Sequence, residues 1–220
     1  MQACSLAATD LACRRGDRVL FRGLSFALEP GQALQVAGAN GTGKSSLLRL
    51  LAGLLAPLAG TVTRDGEIGL IDERPALDPH QPLAPALGFW KRIDGGVPAP
   101  LGRLGLGSLN DVPVRFLSTG QRKRAAFARL LGQQAPIWLL DEPLNGLDTN
   151  GVALAEGLAA EHCSAGGICV IASHQPITVP GLKRIDLAHC LPSPVGRGRG
   201  WGLDAGGVPP PQPLLAGEGL

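Results

Sequence analysis

Residues 34–55 read LQVAGANGTGKSSLLRLLAGLL, and the order of residue types in this stretch sets the fold. The apolar run at 33–37 reads as a strand, the glycine-rich segment after it as a loop, and the leucines at 47, 48, 50, 51, 54 and 55 as the apolar face of a helix over 44–55. Inside it, Gly38-Ala39-Asn40-Gly41-Thr42-Gly43-Lys44-Ser45, continued by Ser46, fits the pattern GxxxxGK[ST] in the strand, loop and helix setting that its chemistry needs. Such glycines let successive backbone N–H groups turn inward on a phosphate, and the helix N-terminus adds partial positive charge. Lys44 is then expected to reach the β- and γ-phosphates, and the Ser45 hydroxyl to ligate Mg2+. A plain left-handed glycine turn would not require eight matching positions.

Working outward, helical patterns alternate with continuous apolar strands: a helix at about 119–132, IWLL at 137–140, a helix near 149–162 and GICVIAS at 167–173. That alternation predicts an α/β fold of the phosphate-loop NTPase kind, a mostly parallel sheet flanked by helices, with an antiparallel β portion at the N-terminus. TVTRDGEIGLI, 61–71, reads as a hairpin turning at Asp65-Gly66. Residues 75 to about 115, rich in Pro, Gly and Leu, read as a small, partly helical insertion. Residues 1–190 are the expected nucleotide-binding domain. Residues 191–220 hold 8 Gly and 6 Pro and read as a disordered tail.

Two strand ends carry candidate chemistry, because ligands of open α/β sheets collect at the C-terminal ends of the strands. IWLL ends in Asp141-Glu142-Pro143. Asp141 is expected to hold Mg2+ through water, and Glu142 to polarise a water that attacks the γ-phosphate. His174 follows GICVIAS and is placed to hydrogen-bond the γ-phosphate and report its hydrolysis. The alternative readings, an acidic helix cap and a plain turn histidine, draw no support from the phosphate loop. LSTGQRKR, 117–124, opens another helix on Ser118 and Gly120, with Gln121, Arg122, Lys123 and Arg124 behind them. It is a second anion-binding helix end for which one nucleotide site in the same chain has no use.

The totals narrow the classes. Twenty Lys and Arg against 18 acids, a formal net charge of +2, give no global reason to expect a nucleic-acid partner. The five cysteines are scattered without CxxC spacing, which fits neither a disulfide framework nor a zinc site and suits a reducing cytosol. No stretch reads as a secretory signal or approaches the ~20 apolar residues of a spanning helix.

LSTGQ, ANGTGKSS, LLDEPLNGLD and SH, in this order and spacing over about 1–190, resemble the ATP-binding cassette family, the ATPase subunits of ABC transporters. The resemblance implies that the domain over 1–190 binds ATP and carries a helical subdomain at about 75–132. It implies Mg2+-dependent ATP hydrolysis in a head-to-tail dimer of two copies, each signature (Ser118, Thr119, Gly120, Gln121) capping the ATP on the other copy's phosphate loop. It also implies a role across the interface for Gly146, Leu147 and Asp148, a switch role for His174, integral membrane subunits as partners, and a peripheral place on the cytoplasmic face of the inner membrane. The segments DVPVRFLSTGQRKRAAFARLL and SHQP look, more narrowly, like the cassettes of cytochrome c maturation, which implies haem export or handling. The other readings are a cassette of a different transporter, a soluble cassette acting on nucleic acid or ribosomes, and a scaffold that binds nucleotide without hydrolysing it. The chain departs from the family pattern in three places. Arg15 stands where an aromatic commonly stacks on adenine; Glu73, with Gln81 as a shifted substitute, stands for the glutamine that ligates Mg2+; and Thr119 stands where glycine is commoner.

Overall fold

The computed structural model describes residues 4–73 and 75–190; the tail expected to be disordered lies outside the described residues. The chain opens with an antiparallel pair, β1 (Ser5–Arg15) and β2 (Arg18–Leu28), joined by a tight turn that sets Arg15 opposite Arg18. Then come β3 (Ala33–Ala37), α1 (Lys44–Leu51), β4 (Ala59–Asp65), β5 (Ile68–Ile71), α2 (Leu83–Asp94), α3 (Thr119–Gln133), β6 (Ile137–Asp141), α4 (Thr149–Ser164), β7 (Ile168–Ala172) and β8 (Lys183–Asp186). Two sheets result: an antiparallel one ordered β2-β1-β4 and an all-parallel one ordered β5-β6-β7-β3-β8.

Every residue of β3, β6 and β7 is buried, because each strand meets apolar cover on both faces. Leu34, Val36, Leu139 and Val170 pack with the leucines of α1 and the inner residues of β1 and β2. Their neighbours Ala33, Trp138, Leu140, Cys169 and Ile171 point the other way, among residues of α3 and α4. Leu47, Leu48 and Leu51 of α1 are almost wholly buried; replacing one of them by Ala should cost about 2–5 kcal/mol. This double cover fixes the direction of the parallel strands, so that Gly38, Glu73, Glu142 and His174 all follow strand ends at one rim of the sheet.

Two sequence expectations are corrected. Residues 61–71 are not a hairpin: Asp65-Gly66 is a crossing point, with β4 pairing to β1 and β5 pairing in parallel to β6. The alternation differs on the two sides of the turn. β4 is largely exposed, whereas Gly69 and Ile71 of β5 are buried in the central sheet. The helix after the phosphate loop stops at Leu51 rather than Leu55, leaving Leu54 exposed. The stretch 75–118 carries α2 and short 3-10 turns at Gly107–Leu109 and Val114–Phe116, with Leu83, Leu87, Leu104 and Leu106 tucked against α3.

Candidate nucleotide site

The phosphate loop spans the gap between β3 and α1. Gly43 has φ 108°, and a Cβ there would lie 3.1 Å from Leu20 and 3.2 Å from Phe21, so only glycine lets the loop rest on β2. The loop is also tied to itself, Ala39 O accepting from Thr42 N (3.3 Å) and from Thr42 Oγ1 (2.9 Å). Lys44 is buried under it, its Nζ donating to Gly38 O at 2.9 Å and Ala39 O at 3.3 Å.

From the end of β6, Glu142 reaches the same ammonium, with Oε1 3.6 Å from Lys44 Nζ. Its other oxygen, Oε2, lies 2.9 Å from His174 Nδ1. Glu142 has φ 44°, the left-handed region, and its N–H donates to Ala172 O at 2.8 Å, which turns the side chain off the strand and over the loop. A non-glycine residue held there stores strain that the neighbouring β7 restrains.

Asp141, one residue earlier, is 4 % exposed and its Oδ1 has no hydrogen-bond partner. Burial raises its carboxyl above the ordinary range; the Ser45 hydroxyl lowers it, Asp72 and Glu142 raise it, and Lys123 lowers it. An orphaned carboxylate oxygen beside a hydroxyl is a fitting pair of hard oxygen donors for Mg2+, which takes one or two carboxylates and completes its shell with water and phosphate. No group of three or more His, Cys, Asp or Glu side chains among the described residues forms a closed metal cage.

These groups open on one cleft of about 510 Å3. Arg15, Asn40, Gly41, Gly43, Lys44, Ser45, Ser46, Glu73, Asp141, Glu142 and His174 line it, all singled out from sequence. Gly38, Ala39 and Thr42 shape the loop from behind. Glu73, not Gln81, occupies the rim: Gln81 sits at the foot of α2, beside Phe89 and Trp90, its backbone O accepting from Val114 N. Two lining residues were missed. Leu20 adds an apolar wall beside Arg15, and Asn145 lies inside the quoted LLDEPLNGLD without a role of its own.

The signature lies elsewhere. Ser118 caps α3, its Oγ accepting from Gln121 N at 3.2 Å, while Gln121 Oε1 accepts from Ser118 N at 2.8 Å. A second cleft, about 370 Å3, is lined by Ser118, Thr119, Gly120, Arg124, Gly146, Leu147 and Asp148. The structure thus gathers the expected residues in two separate clefts, with Gln121 of the signature holding the Ser118 cap rather than lining the second. The three cations after the signature do not act alike: Arg124 faces this cleft, whereas Lys123 is buried. Burial lowers the Lys123 ammonium, against the opposing pull of Asp141, Glu142, Glu73 and Asp72.

Residues 21–145 match the ABC transporter family. Over 192 residues the chain is 56% identical to the cytochrome c biogenesis ATP-binding export protein CcmA of Novosphingobium aromaticivorans, covering 87% of this chain and 100% of that protein. A protein of the same name from Sphingopyxis alaskensis is 50% identical over 184 residues, 82% of this chain and 95% of its own length. Among solved structures, an ABC transporter ATP-binding protein from Pyrococcus furiosus superposes with a TM-score of 0.75 at 21% identity, over 86% of this chain and 100% of that one, a likeness of fold.

Proposed function

This chain belongs to the ABC transporter family, whose ATP-binding subunits hydrolyse ATP, and we propose that it does so in a membrane-bound complex serving cytochrome c biogenesis, driving the export or handling of haem. The observation that carries hydrolysis is the contact of Glu142 with both Lys44 and His174 at the mouth of the phosphate loop. The cytochrome c role rests on the relatives named for it, one of which is 56% identical over its whole length. No helix among the described residues is long and apolar enough to cross a membrane. The relatives named as export proteins support a place at the cytoplasmic face of the inner membrane, with integral membrane partners.

The backbone amides of 40–45 and the α1 N-terminus bind the β-phosphate. Lys44, already neutralising its own loop carbonyls, swings its ammonium onto the β- and γ-phosphates when nucleotide enters. Arg15 and Leu20 take the base between a guanidinium plane and an apolar wall. Ser45, Asp141 and Glu73 are the residues that would hold Mg2+, which would supply neutralisation of the phosphate charge. Glu142 accepts a proton from the water aimed at the γ-phosphate, and His174, which steadies that carboxylate through Nδ1, passes its N–H to the phosphate oxygens as charge develops. Ser118 and the Gly120 amide of a second copy close the cleft from above, with Leu147 and Asp148 at the seam.

Glu142→Gln keeps the size of the side chain and removes the base. The full chain carrying it should bind ATP, accumulate as a dimer in size-exclusion chromatography, and lose hydrolysis by at least ~100-fold. Wild-type turnover in that variant would reject the catalytic assignment. The cytochrome c role is checked separately by disrupting the chromosomal copy, which should abolish covalent haem staining of c-type cytochromes.

A further inference from the structure

One buried polar side chain in the central sheet takes no part in the site as described. Gln35 lies in the middle of β3, three residues before Gly38, and is 4 % exposed. Alternation along the strand turns it to the same face as Ala33, toward the apolar cluster that holds Cys169, Ile171, Ile177 and Val179. An amide there costs free energy unless its donors are used. Its Nε2 donates to the backbone O of Gln175 at 2.8 Å.

That carbonyl belongs to the turn that carries His174. Ser173, buried at the end of β7, donates through Oγ to the same Gln175 O at 3.0 Å, and its Oγ accepts from Gln175 N at 3.0 Å. Ser173 N in turn donates to Val36 O at 3.2 Å, on the residue next to Gln35. His174 is thus pinned on both sides, its side chain the free element of the turn, with Nδ1 2.9 Å from Glu142 Oε2. The side chain of Gln175 extends the same network, Nε2 donating to Asn145 Oδ1 at 3.4 Å on the cleft wall.

We propose that Gln35 is a positioning residue for ATP hydrolysis: by holding the Gln175 carbonyl from the strand that bears the phosphate loop, it sets the height of His174 over Glu142. The inference rests on the catalytic reading of Glu142 and His174. An amide on β3 is well suited to the task because the strand ends in the loop that grips the nucleotide, so the histidine is registered to the phosphate rather than to solvent. An apolar side chain of equal size would fill the same space and leave the Gln175 carbonyl held by Ser173 alone.

The test is steady-state hydrolysis by the full chain, purified with its membrane partners, comparing Gln35→Met with wild type in both a native and a His174→Ala background. Gln35→Met should lower kcat about tenfold with KM for ATP within about twofold, since a misplaced catalytic group acts on the transition state and spares binding. In the His174→Ala background it should change kcat by less than about twofold, because the group that it positions is gone. Ser173→Ala removes the second donor to the same carbonyl and should show the same dependence on His174, which keeps the test available if Gln35→Met fails to fold. An unchanged kcat in the native background, a rise in KM matching the loss, or an equal loss with and without His174 would overturn the assignment. Full hydrolysis by His174→Ala alone would instead overturn the catalytic reading of His174, and the role of Gln35 with it.

Discussion

His162 of α4 lies flat on Trp138 of β6, ring centroids 3.9 Å apart and 10° from parallel, with Nε2 3.1 Å from Pro136 O and 3.3 Å from Ile168 O. That geometry demands a proton on Nε2, shared between two carbonyls, and nothing in the site chemistry uses it. Burial pushes its pKa down to about 4, the two carbonyls working in the opposite direction. The neutral ring is therefore the form that folds. In the unfolded chain the same histidine takes up its proton near pH 6.5, so the unfolded state binds more protons between the two values. The contribution to stability is complete above pH 6.5 and is lost progressively as pH falls toward 4, amounting to about 3 kcal/mol. Urea unfolding followed at pH 7, 6, 5 and 4.5 should show the midpoint falling across this window. His162→Phe, which keeps the stack on Trp138 and cannot titrate, should flatten that part of the profile while starting from a lower stability at pH 7. An identical slope in the variant would assign the acid sensitivity to the carboxylates instead.

Between α3 and the loop that follows Glu142, two elements approach closely enough for single atoms to matter. Gly146 has φ 77°, and a Cβ there would come within 2.6 Å of Thr119 Cγ2 in the first turn of α3. Gly146→Ala should cost about 1–3 kcal/mol, combining left-handed strain with the clash. Thr119→Gly in the same chain should return the part due to the clash and leave the strain, so thermal melts of the two single variants and the double separate the terms. A Thr119→Gly effect of the same size with and without Gly146→Ala would mean that the loop shifts away at no cost. The sequence could not announce this pair. Its motifs are local: eight positions of phosphate loop, Asp141-Glu142 at a strand end and Ser118 at a helix start are each legible because the chemistry is built from neighbouring residues. Contacts across elements leave no such trace, which is why Asn145 and Leu20 were missed, why Lys123 read as one of three like cations although it is buried, and why Asp65-Gly66 looked like a hairpin when the strands on its two sides pair with β1 and β6. Gln35 was hidden for the same reason, a single amide in an otherwise apolar run whose partner carbonyl lies 140 residues away.

At the scale of the whole fold, the described residues form two separate clefts, Lys44, Glu142 and His174 in one, Ser118 and Gly120 in the other. If a head-to-tail pair of copies is the working unit, each complete site takes its phosphate loop from one copy and its signature from the other. Two lesions then differ in kind from one another although both abolish turnover. Lys44→Ala removes the ammonium from the first half-site, and Ser118→Arg fills the second with a bulky cation. In a mixed pair made of one copy with each lesion, both defects fall in the same composite site, and the other site is wild type throughout. Hydrolysis should therefore reappear when the two inactive chains are mixed and allowed to exchange in ATP. A chain bearing both substitutions, mixed with wild type, places one defect in each site, so its mixed pairs should stay inactive. No recovery of hydrolysis in the first mixture would mean that each chain completes its nucleotide site unaided, and the separate signature cleft would then need a different occupant.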